Sequence, residues 1–214
     1  PMAVIADMLG IGTEDRDEFQ VLAERFIEAT AIQGPRGLIK MLPAARAMIK
    51  MFSRLADDRR RHPDEHLITA LVQVNDDGEA LTEQEIVSMI FLLLLAGHDT
   101  TSNLLGSSVL ALIEHPEQLE RLRAEPDLID TAVEELLRYT TPVPCGALRT
   151  TMEDIEIAGM TIPRRSLVLG MIISANRDER VIESPDELDL GRQPNPHMSF
   201  AFGPHFCLGA QLAR

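Results

Sequence analysis

The sequence contains two cysteines, Cys145 and Cys207, and the second lies in the unusual stretch FAFGPHFCLG near the end of the chain. Gly203 and Gly209 allow the backbone to approach another group closely, and Phe200 with two further phenylalanines would keep water away. A thiolate in such a loop, ahead of a helix N-terminus, could bind a metal or attack an electrophile. The stretch therefore predicts a shielded thiolate, although most lone cysteines are buried core residues.

The chemistry of that thiolate depends on what accompanies it in the sequence. Nucleophilic catalysis needs a positioned base, and His205 is the local candidate. Zinc needs several clustered Cys and His ligands, which Cys145 and the scattered histidines do not supply. A single thiolate beside a large apolar pocket is typical of haem iron with cysteine as its axial ligand.

A second candidate for chemistry is LLAGHDTTSN, Leu94 to Asn103, in the middle of a long apolar helical pattern. Gly in a helix costs about 1 kcal/mol relative to Ala, and Thr competes for backbone carbonyls. One interpretation is an ordinary kink with a solvated polar end. The other is a groove opened at Gly97, where a small molecule lies against the backbone while Asp99 and Thr100 handle protons.

A third stretch, EELLRY, carries Glu135 and Arg138 at i,i+3 on one helix face. Such pairs are usually exposed and stabilise a helix by a few tenths of a kcal/mol. By itself the pair predicts surface decoration.

The elements that must position these residues are mostly helical. Glycines, prolines and caps predict helices near Thr13–Ala31, Pro43–Arg61, Asp64–Val74, Thr82–Ile113, Pro116–Ala124 and Pro126–Tyr139. Thr82 and Glu85 form a candidate capping box at the start of the longest one. After Tyr139 the alternation in DIEI, followed by a glycine and Pro163, indicates a small β-hairpin. The expected fold class is mainly α, an α-rich α+β protein.

Composition limits the classes of partner. With 34 acidic and 20 basic side chains, the net charge of -14 argues against nucleic acid as a partner. The longest apolar run, Met89 to Gly97, is much shorter than the roughly 20 residues of a membrane span, so none is expected. The N-terminal residues lack a basic leader, and two cysteines fit a reducing cytoplasm.

Together and in this order, the three stretches resemble the cytochrome P-450 superfamily of haem-thiolate monooxygenases, in particular its soluble bacterial members. The resemblance implies the P-450 fold, with a long central helix, small β-segments and a cysteine-ligand loop. Cys207 matches the haem ligand in the family pattern Phe, Gly, any, Gly, any, His, any, Cys, any, Gly. The matching positions are Phe200, Gly203, His205 and Gly209, whereas Ala201 replaces the usual glycine.

The same resemblance gives roles to other residues. Ala96 and Gly97 fall in the oxygen-activation groove, with Asp99 and Thr100 as the acid and alcohol of a proton relay. Glu135, Arg138 and Arg192 match a buried structural triad. Arg149 and His205 are expected to reach haem propionates. The expected walls of the substrate pocket are Ile90, Phe91, Leu94, Val143, Cys145 and Leu148.

The implied function is the insertion of one oxygen atom of dioxygen into a lipophilic small molecule at haem b. Electrons would come from NAD(P)H through a ferredoxin or flavodoxin and its reductase. A peroxide-driven peroxygenase and a haem-binding protein without catalysis remain as alternatives. The resemblance further implies that residues 1–214 are part of a single P-450 domain, without its N-terminal lobe and its extreme C-terminus.

Overall fold

The computed structural model describes residues 1–214 apart from Ala31, Gln33, Asp77 and Gly78. The described residues form two compact units, Pro1–Asp99 and Thr100–Arg214. Helix dominates both units, and the strands are short, so the prediction of a mainly α protein is confirmed. Membership of one domain stays a prediction.

The first unit is built from helices with one small antiparallel pair of strands. Its helices are α1 (Met2–Leu9), α2 (Arg16–Thr30), α3 (Pro35–Arg61) and α4 (Leu67–Gln73), and its strands are β1 (Asn75–Asp76) and β2 (Glu79–Ala80). The long helix α5 (Glu83–Glu114) follows, and the boundary between the units falls within it.

Aromatic contacts join three helices in the core of the first unit. Phe52 of α3 lies 6.3 Å from Phe19 of α2 and 5.3 Å from Phe91 of α5, measured between ring centroids. Phe26 of α2 lies 5.5 Å from the same Phe91 ring. Tilted and edge-to-face contacts of this kind add to the free energy gained from burying the rings.

The predicted start of α5 is confirmed. The Thr82 N–H donates to Oε2 of Glu85 at 2.8 Å, and the Glu85 N–H donates to Oγ1 of Thr82 at 3.3 Å. These two bonds satisfy backbone donors that a helix start otherwise leaves without partners, as expected of a capping box.

One prediction for the first unit was wrong, and one helix was missed. We predicted a helix start at Pro43, but α3 begins at Pro35, after Gly34, and Pro43 lies inside it. Both prolines suit a first helical turn, and local sequence did not distinguish the true start from a proline tolerated in the interior. Helix α1 was not predicted, because eight mostly apolar residues give little periodic signal.

The second unit combines short helices, two hairpin-like sheets and much irregular chain. After α6 (Pro116–Ala124), a 3₁₀ turn at Pro126–Leu128 leads into α7 (Ile129–Thr140). Strands β3 (Arg149–Thr150) and β6 (Leu167–Val168) pair antiparallel, as do β4 (Ile155–Ile157) and β5 (Met160–Ile162). The last helices are α8 (Ile172–Ala175) and α9 (Ala210–Ala213), with a 3₁₀ turn at Gly203–His205. The predicted hairpin is therefore confirmed as β4 and β5.

Two small apolar clusters form the core of the second unit. One contains Leu136 of α7 with Leu188 and Leu190, and the other contains Leu137 of α7 with Leu104 and Phe200. Adjacent leucines of α7 thus pack into different clusters. No helix within the described part of the chain is long and apolar enough to cross a bilayer.

Gly10, which ends α1, tests how closely the helices of the first unit pack. Its φ is 74°, and a Cβ at this position would lie 2.7 Å from Cβ of His66. We expect Gly10→Ala to lower the free energy of unfolding by about 2 to 3 kcal/mol, because left-handed strain adds to overpacking. Urea unfolding followed by far-UV circular dichroism measures the loss.

Gly159→Ala is the matched control for backbone strain alone. Gly159 has φ 77° but no described atom within 4 Å of the added Cβ. We expect a loss of about 1 kcal/mol here. Equal losses for the two variants would show that His66 does not restrict position 10.

Candidate functional site

A fully buried ion pair lies at the centre of the second unit. Glu135 and Arg138 of α7 have 0% exposure. The Arg138 guanidinium donates from Nε to Oε2 of Glu135 at 2.7 Å and from Nη2 to Oε1 at 2.8 Å. This pair, which spacing alone assigned to the surface, is the most deeply buried ion pair described in the chain.

The remaining donors of Arg138 bind backbone carbonyls of irregular chain. Nη1 donates to the carbonyls of Asn176 at 2.9 Å and Pro185 at 2.7 Å, and Nη2 donates to that of Glu187 at 3.1 Å. All five N–H groups of the guanidinium are therefore used. A lysine could not replace this fork of donors.

Arg192 joins the same carboxylate. Its Nε lies 3.1 Å from both Oε1 and Oε2 of Glu135, and its other nitrogens donate to carbonyls of residues 183, 184 and 187. Glu135 also accepts the Asp189 N–H at 3.0 Å and the Asn195 side-chain amide at 3.1 Å. The structure thus brings Glu135, Arg138 and Arg192 together, as the predicted triad requires.

Asp189 extends this network toward α6. Burial raises the pKa of its carboxyl, but hydrogen bonds from the Gly191 N–H and from Arg121 outweigh burial and leave the pKa below its ordinary value. Arg121 Nη1 lies 2.8 Å from Oδ1 of Asp189. Asp189 is therefore ionised at neutral pH and ties residues 189–191 to α6.

The cysteine loop turns back on itself through three backbone hydrogen bonds. The Phe206 N–H donates to the Gly203 carbonyl at 2.9 Å, the Cys207 N–H to the Phe200 carbonyl at 2.9 Å, and the Ala210 N–H to the Cys207 carbonyl at 3.2 Å. Cys207 itself is exposed. These bonds fix the backbone of the loop and leave the thiol accessible.

The phenylalanines of this loop do not act alike. Phe200 is buried, whereas Phe202 is 82% exposed and Phe206 is half-exposed. The expectation that all three keep water from the thiol is therefore wrong for the described chain. Phe202 and Leu208, the residue after Cys207, are instead both largely exposed.

The motif in α5 lies in unbroken α-helix. A Cβ at Gly97 would lie 3.1 Å from Cδ1 of Ile5, so glycine here permits close packing of α1 against α5. Ala96 and Asp99 are exposed, and Thr100 is half-buried. Their roles in a groove and a proton relay stay predictions.

The predicted pocket walls differ in burial. Ile90 and Leu94 are fully buried in the core of the first unit, and Phe91 packs against them. In the second unit Val143 and Cys145 are half-buried and Leu148 is exposed. A cavity of about 440 Å³ lies between α2 and α3, lined by other residues, among them Leu22, Arg25 and Lys40.

Arg149 and His205, the predicted propionate ligands, are both exposed. Arg149 begins β3 and is paired with Val168 of β6, while His205 ends the 3₁₀ turn before Cys207. Both side chains are therefore accessible to an anionic group, and both lie in the second unit.

Sequence reasoning missed a buried asparagine, Asn176, that binds the chain just before the cysteine loop. Asn176 has 0% exposure; its amide donates to the hydroxyls of Thr141 and Ser199, both at 2.9 Å, and accepts the Met198 N–H at 2.7 Å. The stretch ANRDE, residues 175–179, could have indicated this role. An asparagine after a short apolar run is typical of a turn in which the side-chain amide binds backbone groups.

Comparison with known proteins decides the family. The sequence model described as "Cytochrome P450" matches residues 40–214. The chain belongs to the cytochrome P450 family. The fold prediction made from the family resemblance is therefore confirmed.

Individual cytochromes P450 match the whole chain. The polyketide biosynthesis cytochrome P450 PksS of Bacillus subtilis is 44% identical over 214 residues, which cover 100% of this chain and 52% of PksS. The solved structure of cytochrome P450 TbtJ1 has a TM-score of 0.94 at 40% identity, covering 100% of this chain and 56% of that one. P450BioI in complex with an acyl carrier protein has a TM-score of 0.89 at 41% identity, covering 99% and 55%. The chain thus spans about half the length of the relatives that it matches.

Membership of the cytochrome P450 family implies a haem-iron cofactor, and the residues present fit one. Cys207 offers an exposed thiol, a soft ligand suited to iron, on a loop whose apolar side chains Phe202 and Leu208 are also exposed. A Cβ at Gly203 would meet no described atom within 4 Å, so the loop surface there is open. A flat apolar group has room to lie against this face.

The buried guanidinium gives the first prediction for this site. We expect Arg138→Lys to lower the free energy of unfolding by at least about 3 kcal/mol, because lysine leaves a buried carboxylate and several carbonyls without donors. The control is Arg123→Lys, whose exposed partner Glu120 lies 2.6 Å away, with an expected change below about 0.5 kcal/mol. Urea unfolding at pH 7 compares them, and similar losses would contradict the central role of Arg138.

Ala201 gives the second prediction for this site. This residue stands where the family usually has glycine, and its φ is 61°, in the left-handed region. We expect Ala201→Gly to raise the free energy of unfolding by about 0.5 to 1 kcal/mol, because relief of strain exceeds the entropy cost of glycine. Ala70→Gly, at an exposed position inside helix α4, should instead lose up to about 1 kcal/mol. A loss at Ala201 in thermal or urea unfolding would show that the loop does not strain alanine.

Proposed function

We propose that the protein carrying this chain is a haem-thiolate monooxygenase in which the Cys207 thiolate would ligate the iron of haem b. The observation that carries the proposal is the exposed Cys207 thiol on a loop closed by the Cys207 to Phe200 hydrogen bond.

Thiolate-ligated haem supplies the activation of dioxygen, and the other tasks fall to the chain's own residues. Arg149 and His205 bind the anionic edge of the cofactor. Ala96 is exposed and presents only a methyl group where the reacting molecule would approach α5, and Gly97 lets α1 pack closely against the same turn. The Asp99 carboxyl and the Thr100 hydroxyl would relay protons to the reacting molecule. General acid catalysis requires such groups to lie within hydrogen-bond reach of the atom that they protonate.

The substrate is a lipophilic small molecule. Of the residues assigned to the pocket, all but Cys145 are hydrocarbon side chains: Ile90, Phe91, Leu94, Val143 and Leu148. Apolar walls of this kind bind ligands mainly by excluding water. PksS is named for polyketide biosynthesis, and P450BioI was solved with a fatty acid on acyl carrier protein, so carrier-bound acyl chains belong among the substrates to be screened.

Electrons come from NAD(P)H through a ferredoxin or flavodoxin and its reductase. The protein works in the cytoplasm.

Among the described residues Asp99 is exposed, so a proton path can begin at its side chain. A peroxide-driven peroxygenase would need neither a reductase nor this relay. Product formation from peroxide alone, with no product from NAD(P)H and redox partners, would replace the monooxygenase proposal.

The carbon monoxide difference spectrum of the reduced, haem-loaded protein tests the ligand directly. We expect the strongly red-shifted band of thiolate ligation, lost in Cys207→Ser because a hydroxyl is a far weaker ligand for iron. Cys145→Ser should keep the band, whatever its effect on substrate binding. The measurement is made on this chain and on the complete protein that contains it.

Each outcome is decisive. A thiolate band in Cys207→Ser, or its loss in Cys145→Ser alone, would reject Cys207 as ligand. Absence of the band from both the chain and the complete protein would reject haem-thiolate chemistry. A band in the complete protein only would support the proposal and show that this chain does not complete the site alone.

A further inference from the structure

A second ionic cluster in the second unit has no part in the function proposed above. His197 is nearly buried, with 5% of its side chain exposed, and its Nε2 lies 2.9 Å from Oε2 of Glu134. Its Nδ1 accepts the Ser199 N–H at 3.2 Å, which places the ring proton on Nε2. His197 therefore donates to Glu134, and both ring nitrogens are used.

Arg214, which follows α9, binds the same carboxylate. Its Nε lies 2.6 Å from Oε1 of Glu134, and its Nη2 lies 3.0 Å from Oε2. The hydrogen bond from Arg214 lowers the pKa of Glu134 from its ordinary value, and His197 adds to the effect. Glu134 is thus ionised at neutral pH and holds two side chains that are distant in sequence.

Both partners of Glu134 also contact Phe200. The Arg214 guanidinium lies 4.6 Å from the centroid of the Phe200 ring, a cation–π distance, and the His197 ring lies 6.1 Å from it. Phe200 is buried, and its carbonyl accepts the Cys207 N–H at 2.9 Å. The cluster therefore acts on the residue that closes the cysteine loop.

We propose that His197, Glu134 and Arg214 are positioning residues that hold Phe200, and through its carbonyl the backbone of Cys207, in the orientation that presents the thiol. Glu134 precedes Glu135, so consecutive residues of α7 support the loop and the buried triad. The consequence for haem ligation rests on the function proposed above, whereas the ordering of the loop does not.

Hydrogen exchange at the Cys207 amide tests the ordering. The protein containing this chain is labelled in deuterated buffer, and exchange is resolved to single amides by mass spectrometry with electron-transfer fragmentation. We expect Glu134→Gln and Arg214→Gln each to accelerate exchange of the Cys207 amide by about tenfold or more, because a charged hydrogen bond that limits local opening is lost. Arg214→Lys, which keeps the charge but not the fork, should fall between wild type and Arg214→Gln.

Two controls separate local from global effects. The Asp189 amide, bound to Glu135 at 3.0 Å, reports on the triad and should keep its exchange rate. Arg123→Gln breaks the exposed pair with Glu120 and should change neither amide. Arg214 is one-third exposed, so its conservative lysine variant is expected to fold even if Glu134→Gln does not.

A second readout links the cluster to haem ligation. In the haem-loaded complete protein, we expect Arg214→Gln to lose the thiolate band of the carbon monoxide complex several times faster than wild type and Arg123→Gln. An unchanged Cys207 exchange rate in both Arg214→Gln and Arg214→Lys would overturn the positioning proposal. Absence of a thiolate band from wild type would instead reject the proposed function, and the exchange rates would still decide the role of the cluster.

Discussion

The second unit depends on one buried cation. Placing the Arg138 guanidinium at 0% exposure costs several kcal/mol in lost hydration, and a carboxylate partner alone does not recover this cost reliably. What distinguishes Arg138 is that three of its five bonds go to carbonyls of Asn176, Pro185 and Glu187. These groups belong to a stretch without helix or strand, where no backbone ladder can satisfy them. The guanidinium therefore replaces secondary structure as the means of ordering this chain.

The same principle extends along α7. Glu135 receives Arg192 and the backbone of Asp189, while its neighbour Glu134 receives His197 and Arg214. The next two residues, leucines, pack into different apolar clusters. Because all four side chains project from a single helical turn, one rigid element carries two ionic networks and two cores. A displacement of this turn would disturb the irregular segment and the cysteine loop together.

Sequence predicted those features whose cause is local. The capping box at Thr82, the helix Pro116–Ala124 and the β4–β5 hairpin each depend on residues a few positions apart, and the structure contains all three. The predicted start of α3 was wrong because Pro35 and Pro43 are both prolines that suit a first helical turn. Local sequence singled out Cys207, Asp99 and Thr100 as candidates for chemistry, whereas the roles of Arg149, Arg192 and the pocket residues followed only from the family resemblance.

Burial was the property that local sequence could not give. Glu135 and Arg138 have the i,i+3 spacing that is common in surface pairs, and what buries them is chain 38 to 57 residues away. His197 and Glu134 are separated by 63 positions and carry no common motif. Ala201 shows the same limit in a different form, because its φ of 61° is imposed by the closed loop while its side chain gives no sign of it.

The arrangement explains how a loop with so much exposed apolar surface stays ordered. Phe202 and Leu208 are about four-fifths exposed and contribute little packing, so the loop cannot be held by its own hydrophobic contacts. The loop is instead held by the buried Phe200 ring, by the Phe200 carbonyl that accepts the Cys207 N–H, and by the cluster of His197, Glu134 and Arg214 that contacts the ring. A loop held in this way already has its bound conformation before a ligand arrives. The entropy cost of ordering the loop backbone is therefore not subtracted from the binding free energy. The tolerance of alanine at position 201 follows from the same support, because strain of about 1 to 2 kcal/mol persists only where the surrounding contacts determine the conformation.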